Sequence, residues 1–240
     1  MSEPLRVLAF APATNERGKI GAVVSKVPRD AVHEVLVYDD GSTDGSGEEA
    51  AAQGAKIIRG EVRRGVGHTI REAIRYAREN KFDVLTIMAG NDKDDPREIP
   101  RLLDPIVKDG FDFVQGSRYL PGGGWGNMPL YRQVATRWVH PMLFSLISAR
   151  RITDSTNGFR AFRLSLFDDP RMKIDQEWLD QYELEPYIFY QSIHLGYKVK
   201  EVPVHKVYPD WAKGYTKMKP ITGWWSILRP LVYLGLGIKN

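Results

Sequence analysis

The sequence predicts an α/β fold with a mostly parallel central sheet that is flanked by helices. Short apolar runs alternate with segments whose apolar residues recur at helical spacing, and strongly polar stretches directly follow three of the runs. Short runs bounded by polar residues are typical of strands that are buried on both faces. Strands that alternate with helices form right-handed βαβ units, and such sheets bind ligands at the carboxyl ends of their strands.

Five apolar runs are predicted to be strands. They cover residues 7–10, 35–38, 56–58, 84–88 and 111–114. Between the runs, apolar residues at i, i+3, i+4 and i+7 predict helices with one buried face. These helices cover residues 20–27, 70–77 and 99–106, and a longer helical stretch is expected at 133–148.

The composition fits a folded domain with a sizeable core. The chain has 240 residues, 42% of them hydrophobic, which suits one large α/β domain. It contains no cysteine, so disulfides, thiolate zinc sites and cysteine nucleophiles are excluded. The 34 Lys and Arg exceed the 30 Asp and Glu by four, a modest excess that suits phosphate-bearing ligands or an anionic membrane face, but equally an ordinary soluble surface. We expect no nucleic-acid partner.

The ends of the chain give expectations about location. The N-terminus lacks a basic region followed by a long apolar core, so we expect no signal peptide and a cytoplasmic location. The apolar tail at 221–240 is broken by Arg229 and Pro230 and falls short of the roughly 20 residues that a spanning helix needs. Two interpretations of the tail stay open. It lies in a membrane interface, or it packs on the domain or on a second subunit.

Three polar loops are expected to converge on one cleft. They cover residues 12–16, 39–44 and 89–96, and each follows a predicted strand. After about residue 116 the rhythm changes to a glycine-rich loop at 121–126 and a further polar cluster at 154–160. No linker separates the halves, so we treat residues 1–220 as one domain with halves at 1–116 and 117–220.

These motifs resemble family-2 glycosyltransferases, which have the Rossmann-like GT-A fold of nucleotide-diphospho-sugar transferases. The pattern is closest to the dolichol- and polyprenyl-phosphate sugar synthases. In chain order the matching motifs are residues 12–16, 39–44, 64–67, 95–96, 116–119, 157–160 and 201–204. A dehydrogenase is the weaker interpretation because Ile70 occupies the third glycine position of a dinucleotide fingerprint. A nucleotidyltransferase ranks low because no glycine-rich loop follows the first strand.

The resemblance implies an inverting enzyme that moves a sugar from a UDP or GDP donor to a polyprenyl or dolichyl phosphate. The first half would then bind the donor and the second half the acceptor. Two alternatives stay open. The acceptor is a sugar hydroxyl of a cell-surface glycan intermediate, or the protein binds sugar nucleotides without turnover.

The resemblance assigns a donor site to the loops of the first half. Asp40 would accept hydrogen bonds from the nucleotide base, as a carboxylate accepts well from N–H donors. Gly65 precedes a helix start whose exposed N–H groups would suit a diphosphate. The full donor set is Pro12, Thr14, Glu16, Asp40, Gly65 and Asn91.

The loop after residue 88 departs from the family pattern. The family has Asp-x-Asp here, often followed two residues on by Gln, and binds a divalent cation with it. The corresponding residues are Ala89, Asn91 and Lys93. Mg²⁺ and Mn²⁺ prefer several oxygen ligands, so Asn91 would need Asp92 or a neighbouring carboxylate to turn inward. Alternatively, the Lys93 ammonium neutralises the leaving diphosphate directly.

The resemblance assigns the acceptor site to the second half. Arg118, Arg132 and Thr136 match positions that bind the lipid phosphate, and the arginine fork suits phosphate. Four further residues extend this set: Asp154, Asn157, Arg160 and Lys217.

The catalytic candidates follow from both sets. A phosphate acceptor needs no general base, whereas a sugar hydroxyl would need one, for which Glu183 and Glu185 are candidates and Glu185 is preferred. His205 is a weaker candidate near the diphosphate. The catalytic set is Lys93, Arg118, Arg132 and Glu185.

Overall fold

A seven-stranded sheet forms the centre of the molecule, in a computed structural model that describes residues 4–208 and 220–238. Its strands are β1 (Val7–Ala13), β2 (Glu34–Asp40), β3 (Lys56–Gly60), β4 (Val84–Ile87), β5 (Phe113–Ser117), β7 (Arg160–Arg163) and β8 (Val199–Pro203). Their order is β3-β2-β1-β4-β7-β5-β8. All neighbours pair in parallel except β7, which is antiparallel to β4 and β5. The mostly parallel sheet predicted from the sequence is confirmed.

Helices cover both faces of the sheet. They are α1 (Ile20–Ser25), α2 (Ser46–Ala52), α3 (Val66–Glu79), α4 (Ile99–Asp109), α5 (Leu130–Val134), α6 (His140–Ser148), α7 (Leu184–His194) and α8 (Pro220–Gly235). The apolar sides of α1 and α4 build one core with alternate strand residues, and α3, α6 and α7 build the other. Helices α1, α3 and α4 therefore bury the stripes that their spacing predicted.

The helical stretch expected at 133–148 is continuous but not regular. Between α5 and α6, Ala135–Val139 form a π-helical turn. A π turn adds residues without ending the helix, and such turns are frequent at functional sites. This one brings Ala135, Thr136 and Val139 to the wall of the central cavity.

A small second sheet and the C-terminal helix complete the fold. Strand β6 (Gly124–Gly126), in the predicted glycine-rich loop, pairs with β9 (His205–Val207). Helix α8, in the apolar tail, packs on α6 and α7 and buries Leu231 and Leu234. Within residues 4–208 and 220–238, no helix has the length and apolar character needed to cross a membrane.

Candidate active site

A large cavity opens at the carboxyl ends of β1 and β4, where the fold places its polar loops. Its volume is about 640 Å³. The loops after β1 and β2 are tied together, because Asn15 N–H donates to Ser42 Oγ at 3.0 Å and Thr43 N–H donates to Asn15 Oδ1 at 2.9 Å. Its lining includes Pro12, Glu16, Asn91, Lys93, Arg118, Arg132, Thr136, Val139, His140, Arg160, Glu185, Lys206, Tyr208, Ile227 and Leu228.

The β1 loop contributes Pro12 and Glu16 to the cavity wall, and Thr14 lies half-buried between them. Glu16 is almost buried, and its carboxylate pairs with Lys19 at 3.0 Å. Its backbone N–H donates to Ser46 Oγ at 2.8 Å, which anchors the loop to α2. The loop is therefore fixed by the protein itself.

Asp40 fixes the start of α3. Its carboxylate accepts from the backbone N–H of Arg64 at 2.8 Å and of Gly65 at 3.0 Å, so both oxygens already have a donor. The N–H groups that were predicted to be exposed at this helix start already have acceptors within the protein. Gly67 N–H donates to the carbonyl of Gln181 and His68 N–H to that of Asp180. The prediction of an open diphosphate site at this helix end is wrong, because a neighbouring loop caps the helix.

The carboxylates of the β4 loop all have protein partners. Asp92 pairs with Lys26 on α1 at 2.7 Å, and Asp95 caps the turn Pro96–Glu98 by accepting from Arg97 N–H. Asp94 is buried and accepts from Ala89 N–H at 2.8 Å and from Lys206 Nζ at 2.6 Å. Asp92 therefore does not turn toward the cavity as the metal-binding hypothesis requires.

The side chain of Tyr208 contacts three cationic side chains. Lys93 Nζ lies 5.4 Å and Arg132 Cζ lies 5.3 Å from the centroid of its ring, and its hydroxyl accepts from Arg118 Nη1 at 3.0 Å. Burial, together with the nearby charges of Lys206 and Arg132, lowers the pKa of Lys93 to about 8. The centre of the cavity is thus strongly electropositive.

Arg118 and Asp154 form a buried bidentate ion pair. Arg118 Nε donates to Asp154 Oδ2 at 2.7 Å and Nη2 to Oδ1 at 2.8 Å, and Nη2 also donates to Thr156 Oγ1. Burial alone would lower the pKa of Arg118, but the Asp154 carboxylate outweighs it and holds that pKa above its usual value. With the bond to Tyr208, at most one of the five guanidinium donors is left for a ligand. Arg118 therefore acts mainly as a fixed support.

Arg132 and Thr136 lie one turn apart on the helical side of the cavity. The Thr136 hydroxyl contacts the Tyr119 hydroxyl at 2.6 Å and donates to the Arg132 carbonyl at 2.8 Å. The Arg132 side chain is half-buried beside Tyr208, and within residues 4–208 and 220–238 no carboxylate pairs with it. Of the predicted acceptor residues, Arg132 is the best placed for an anion.

The cluster at 154–160 supports the rear of the cavity. Arg160 donates from Nη1 to the Glu185 carbonyl at 2.9 Å, and its Nη2 lies 3.4 Å from Glu185 Oε1. The Asn157 side chain donates to the Gly116 carbonyl at 3.0 Å and accepts from Lys206 at 3.1 Å. Arg160 also donates to the Asn157 carbonyl, so these two residues hold each other, while Asp154 holds Arg118.

The two glutamate candidates differ in position. Glu183 is fully buried and pairs with Arg229 of α8, so it tethers the C-terminal helix, and it is not among the residues that line the cavity. Glu185 lines the cavity. Lys217 lies outside the described residues.

Beyond Arg132 and Thr136, the helical side of the cavity is mostly apolar. Val139, Ile227 and Leu228 line it together with the buried His140. His140 contacts Ser155 Oγ at 2.7 Å and the Ile227 carbonyl at 3.3 Å, and burial lowers its pKa to about 4. The imidazole is therefore neutral at pH 7 and adds no charge to this wall.

The sequence that builds this cavity matches a known protein family. Residues 9–169 match the model of glycosyl transferase family 2, which is more than half of the chain. The chain belongs to glycosyltransferase family 2. The family and the enzyme class predicted from the motifs are thereby confirmed.

Curated relatives of this family-2 glycosyltransferase agree. The undecaprenyl-phosphate mannosyltransferase of Micrococcus luteus is 32% identical over 83% of this chain and 83% of its own. The dolichyl-phosphate hexose transferase of Haloferax volcanii is 31% identical over 91% of this chain and 89% of its own.

Solved structures confirm the GT-A fold of this family-2 glycosyltransferase. Glucosyl-3-phosphoglycerate synthase from Mycobacterium tuberculosis, in complex with Mn²⁺, UDP and glucosyl-3-phosphoglycerate, has a TM-score of 0.70 at 17% identity. The alignment covers 97% of this chain and 79% of that one. At this identity the match is a match of fold.

Two cavity residues of the glycosyltransferase were missed from the sequence. Lys206 and Tyr208 follow the motif at 201–204, in and just after β9. The alternation of a strand could have found Lys206: its neighbour His205 points outward and pairs with Glu98 at 2.8 Å, with 51% of its side chain exposed. His205, the weaker candidate near the diphosphate, is not among the residues that line the cavity, whereas Lys206 is.

Proposed function

We propose that this family-2 glycosyltransferase moves a sugar, with inversion, from a UDP or GDP donor to the phosphate of a polyprenyl or dolichyl lipid. The names of the relatives from M. luteus and H. volcanii support this acceptor class. The observation that carries the proposal is that the polarity and charge of the lining residues change along one cavity. Donor-loop residues line one part of it, a cationic centre follows, and an apolar helical wall completes it.

The cationic centre suits two phosphate groups. Lys93 and Lys206 lie on the side of the donor loops, and Arg132 lies on the helical side. Arginine binds phosphate oxygens in pairs with its planar fork. Arg132 then binds the acceptor phosphate, and Arg118 positions it through the shared contact with Tyr208.

The transfer step needs no protein base. An oxygen of the acceptor phosphate forms a bond to the anomeric carbon, and the bond from that carbon to the donor diphosphate breaks. The electron pair leaves with the diphosphate oxygen, where the lysines stabilise the added charge. A phosphate is already anionic near pH 7, so no base has to remove a proton from it. Glu185 is therefore not needed as a base, and its carboxylate lies beside Arg160.

The apolar wall gives the prenyl chain a path out of the protein. Next to it, Leu130, Val134, Trp138, Met142 and Leu146 are exposed at four-residue spacing along α5 and α6. We name these five residues the apolar ridge. Three arginines near it in sequence are exposed: Arg137 lies over the Trp138 ring, and Arg150 and Arg151 follow the end of α6. An apolar helix face flanked by cations suits the interface of an anionic membrane, where a lipid phosphate resides.

Transfer assays test the proposal. Purified protein is given each of a panel of UDP- and GDP-sugars with undecaprenyl or dolichyl phosphate in detergent, and the product anomer is determined by NMR. We expect one donor to yield a lipid-linked sugar of inverted configuration. Consumption of a donor only when a glycan acceptor is supplied would contradict the acceptor, and no consumption of any donor would contradict catalysis.

A further inference from the structure

The corner of the cavity where relatives of this fold bind a divalent cation is built differently here. A Mn²⁺ ion accompanies UDP in the M. tuberculosis synthase. In this chain Ala89, Asn91 and Lys93 occupy the positions that the family pattern gives to two carboxylates and a glutamine. Hard divalent cations bind through several oxygens, usually including carboxylates.

The remaining carboxylates of the loop do not replace the missing ones. Asp92 is held by Lys26, Asp95 by Arg97, and Asp94 by Lys206 and the Ala89 amide. Asn91 Oδ1 is buried and accepts no hydrogen bond from the described residues, but one amide oxygen is a poor site for a divalent cation. Across residues 4–208 and 220–238, no three His, Asp or Glu side chains are arranged to hold a metal ion. The residues at this corner therefore do not fit a divalent cation.

Two ammonium groups stand at this corner instead. Lys206 comes from β9 and Lys93 from the β4 loop, and the two segments are joined because Val207 N–H donates to the Lys93 carbonyl at 2.8 Å. Lys206 Nζ is held in place by Asp94 at 2.6 Å and Asn157 at 3.1 Å. Lys93 lies over the Tyr208 ring. Both cations are therefore fixed by contacts within the protein before any ligand arrives.

Asp94 offsets the charge of Lys206, but Glu16 and Asp94 compensate only in part for the burial of Lys93 and for its repulsion by neighbouring cations. Lys93 is half-buried near the charges of Lys206 and Arg132. A diphosphate between the lysines would remove this repulsion, because its oxygens accept from both ammonium groups at once. Preorganised charge of this kind also stabilises the charge that develops on a leaving diphosphate.

We propose that Lys93 and Lys206 bind the donor diphosphate in place of a divalent cation, so that nucleotide binding and transfer are independent of metal. This inference rests on the proposed function, because it concerns the donor of the same reaction. Lys93 and Lys206 are catalytic residues in this scheme, and Asp94 and Tyr208 are positioning residues.

Calorimetric titration with UDP and GDP, in EDTA and then in Mn²⁺, tests the inference without any need for turnover. We expect one nucleotide to bind in EDTA, with an affinity within about threefold of that in Mn²⁺. Lys93→Met should weaken this binding by about tenfold or more, since a charge-assisted hydrogen bond is lost. Lys108→Met removes an exposed lysine of α4 and serves as the matched control.

Lys206→Met leaves the buried Asp94 carboxylate unpaired and is expected to unfold readily. The double variant Asp94→Asn with Lys206→Met removes both charges, so no carboxylate is left buried without a partner. Nucleotide binding can then be measured on a folded protein that lacks Lys206. The reverse design is Ala89→Asp with Asn91→Asp and Lys93→Gln, which rebuilds the family pattern. We expect this triple variant to bind nucleotide only when Mn²⁺ is present.

Binding that is at least tenfold weaker in EDTA and is restored by Mn²⁺ would overturn the inference, as would an unaffected Lys93→Met variant or no nucleotide binding in either condition. The proposed function is tested separately. Transfer to a lipid phosphate only in the presence of Mn²⁺ would leave that function standing and refute the inference. Nucleotide binding in EDTA without transfer to any lipid phosphate would do the opposite.

Discussion

The hydroxyl of Tyr208 accepts a hydrogen bond from Arg118 Nη1 at 3.0 Å, while the face of the same ring contacts two further cations. One aromatic side chain thus connects Arg118, which follows β5, with Lys93 of the β4 loop and Arg132 of α5. A ring attracts cations over its face and accepts a hydrogen bond at its hydroxyl, so both contacts form together. Tyr208 therefore sets the spacing of the cationic centre.

Substitutions of Tyr208 separate these two contacts. Tyr208→Phe keeps the ring and loses one hydrogen bond, so we expect kcat/KM for the lipid phosphate to fall by roughly fivefold. Tyr208→Leu also loses both cation–π contacts, and we expect a fall of about fiftyfold or more. Initial rates at varied lipid phosphate measure the effect, and thermal melting checks the fold. Equal losses in both variants would assign the effect to the hydroxyl alone.

The pair of Arg118 and Asp154 should dominate local stability. Asp154→Asn leaves a buried guanidinium without its counter-charge, and we expect a loss of about 3 kcal/mol in the free energy of unfolding. Asp104→Asn breaks the exposed pair with Lys108 and should cost less than about 0.5 kcal/mol. Urea unfolding followed by circular dichroism compares the two variants. A loss below about 1 kcal/mol for Asp154→Asn would show that the pair is dispensable for folding.

Lys93 should lower the stability of the ligand-free protein. Its pKa is about 8 in the folded protein and 10.5 by the ordinary value, so the unfolded chain binds the proton more tightly. The destabilisation is complete below about pH 8 and disappears as the pH rises toward 10.5. We therefore expect Lys93→Met to be more stable than the parent at pH 7 by about 2 kcal/mol, and less so at pH 10.

Urea unfolding of both proteins between pH 7 and pH 10 measures this difference. Lys108→Met, at an exposed lysine of α4, is again the matched control. A Lys93→Met variant that is less stable than the parent at pH 7 would mean that packing of the lysine stem outweighs its charge.

The apolar ridge should carry membrane binding. Trp138→Glu or Leu146→Glu places a charge on an exposed apolar position and should reduce co-sedimentation with anionic vesicles by about tenfold, with little change in stability. Val107→Glu changes an exposed apolar residue of α4, on the opposite face of the sheet, and should leave vesicle binding unchanged. Equal vesicle binding by all three variants and the parent would exclude the ridge as the contact.

Five of the six parallel strands of the central sheet could be predicted because their signal is local, whereas β8 was not predicted as a strand. Each of the five strands carries its own apolar run, and the helices between them carry their own spacing. Strand β7 has no such signal. It has four residues and begins and ends with Arg160 and Arg163, and it is buried only because the neighbouring strands enclose it.

Several residues that line the cavity could be predicted from the sequence, but the side chains that contact them could not. Lys93, Arg132 and Glu185 were named from motif positions, and all three line the cavity. The partners that define their surroundings are far away in sequence. Asp154 meets Arg118 across 36 positions, and Lys206 meets Asp94 across 112. No local pattern encodes such pairs, because they depend on how the strands are ordered in the sheet.

The antiparallel strand β7 limits how this enzyme can be recombined with its relatives. Although β7 lies after residue 117, it inserts between β4 and β5, and Arg160 pairs with Ile87 on one side and Gln115 on the other. The segment that forms one half of the cavity thus supplies an interior strand to the sheet of the other half. A chimera joined near residue 116 would exchange that strand and its packing along with the cavity. New acceptor specificity is therefore better sought by grafting α5 and α6, which lie outside the sheet.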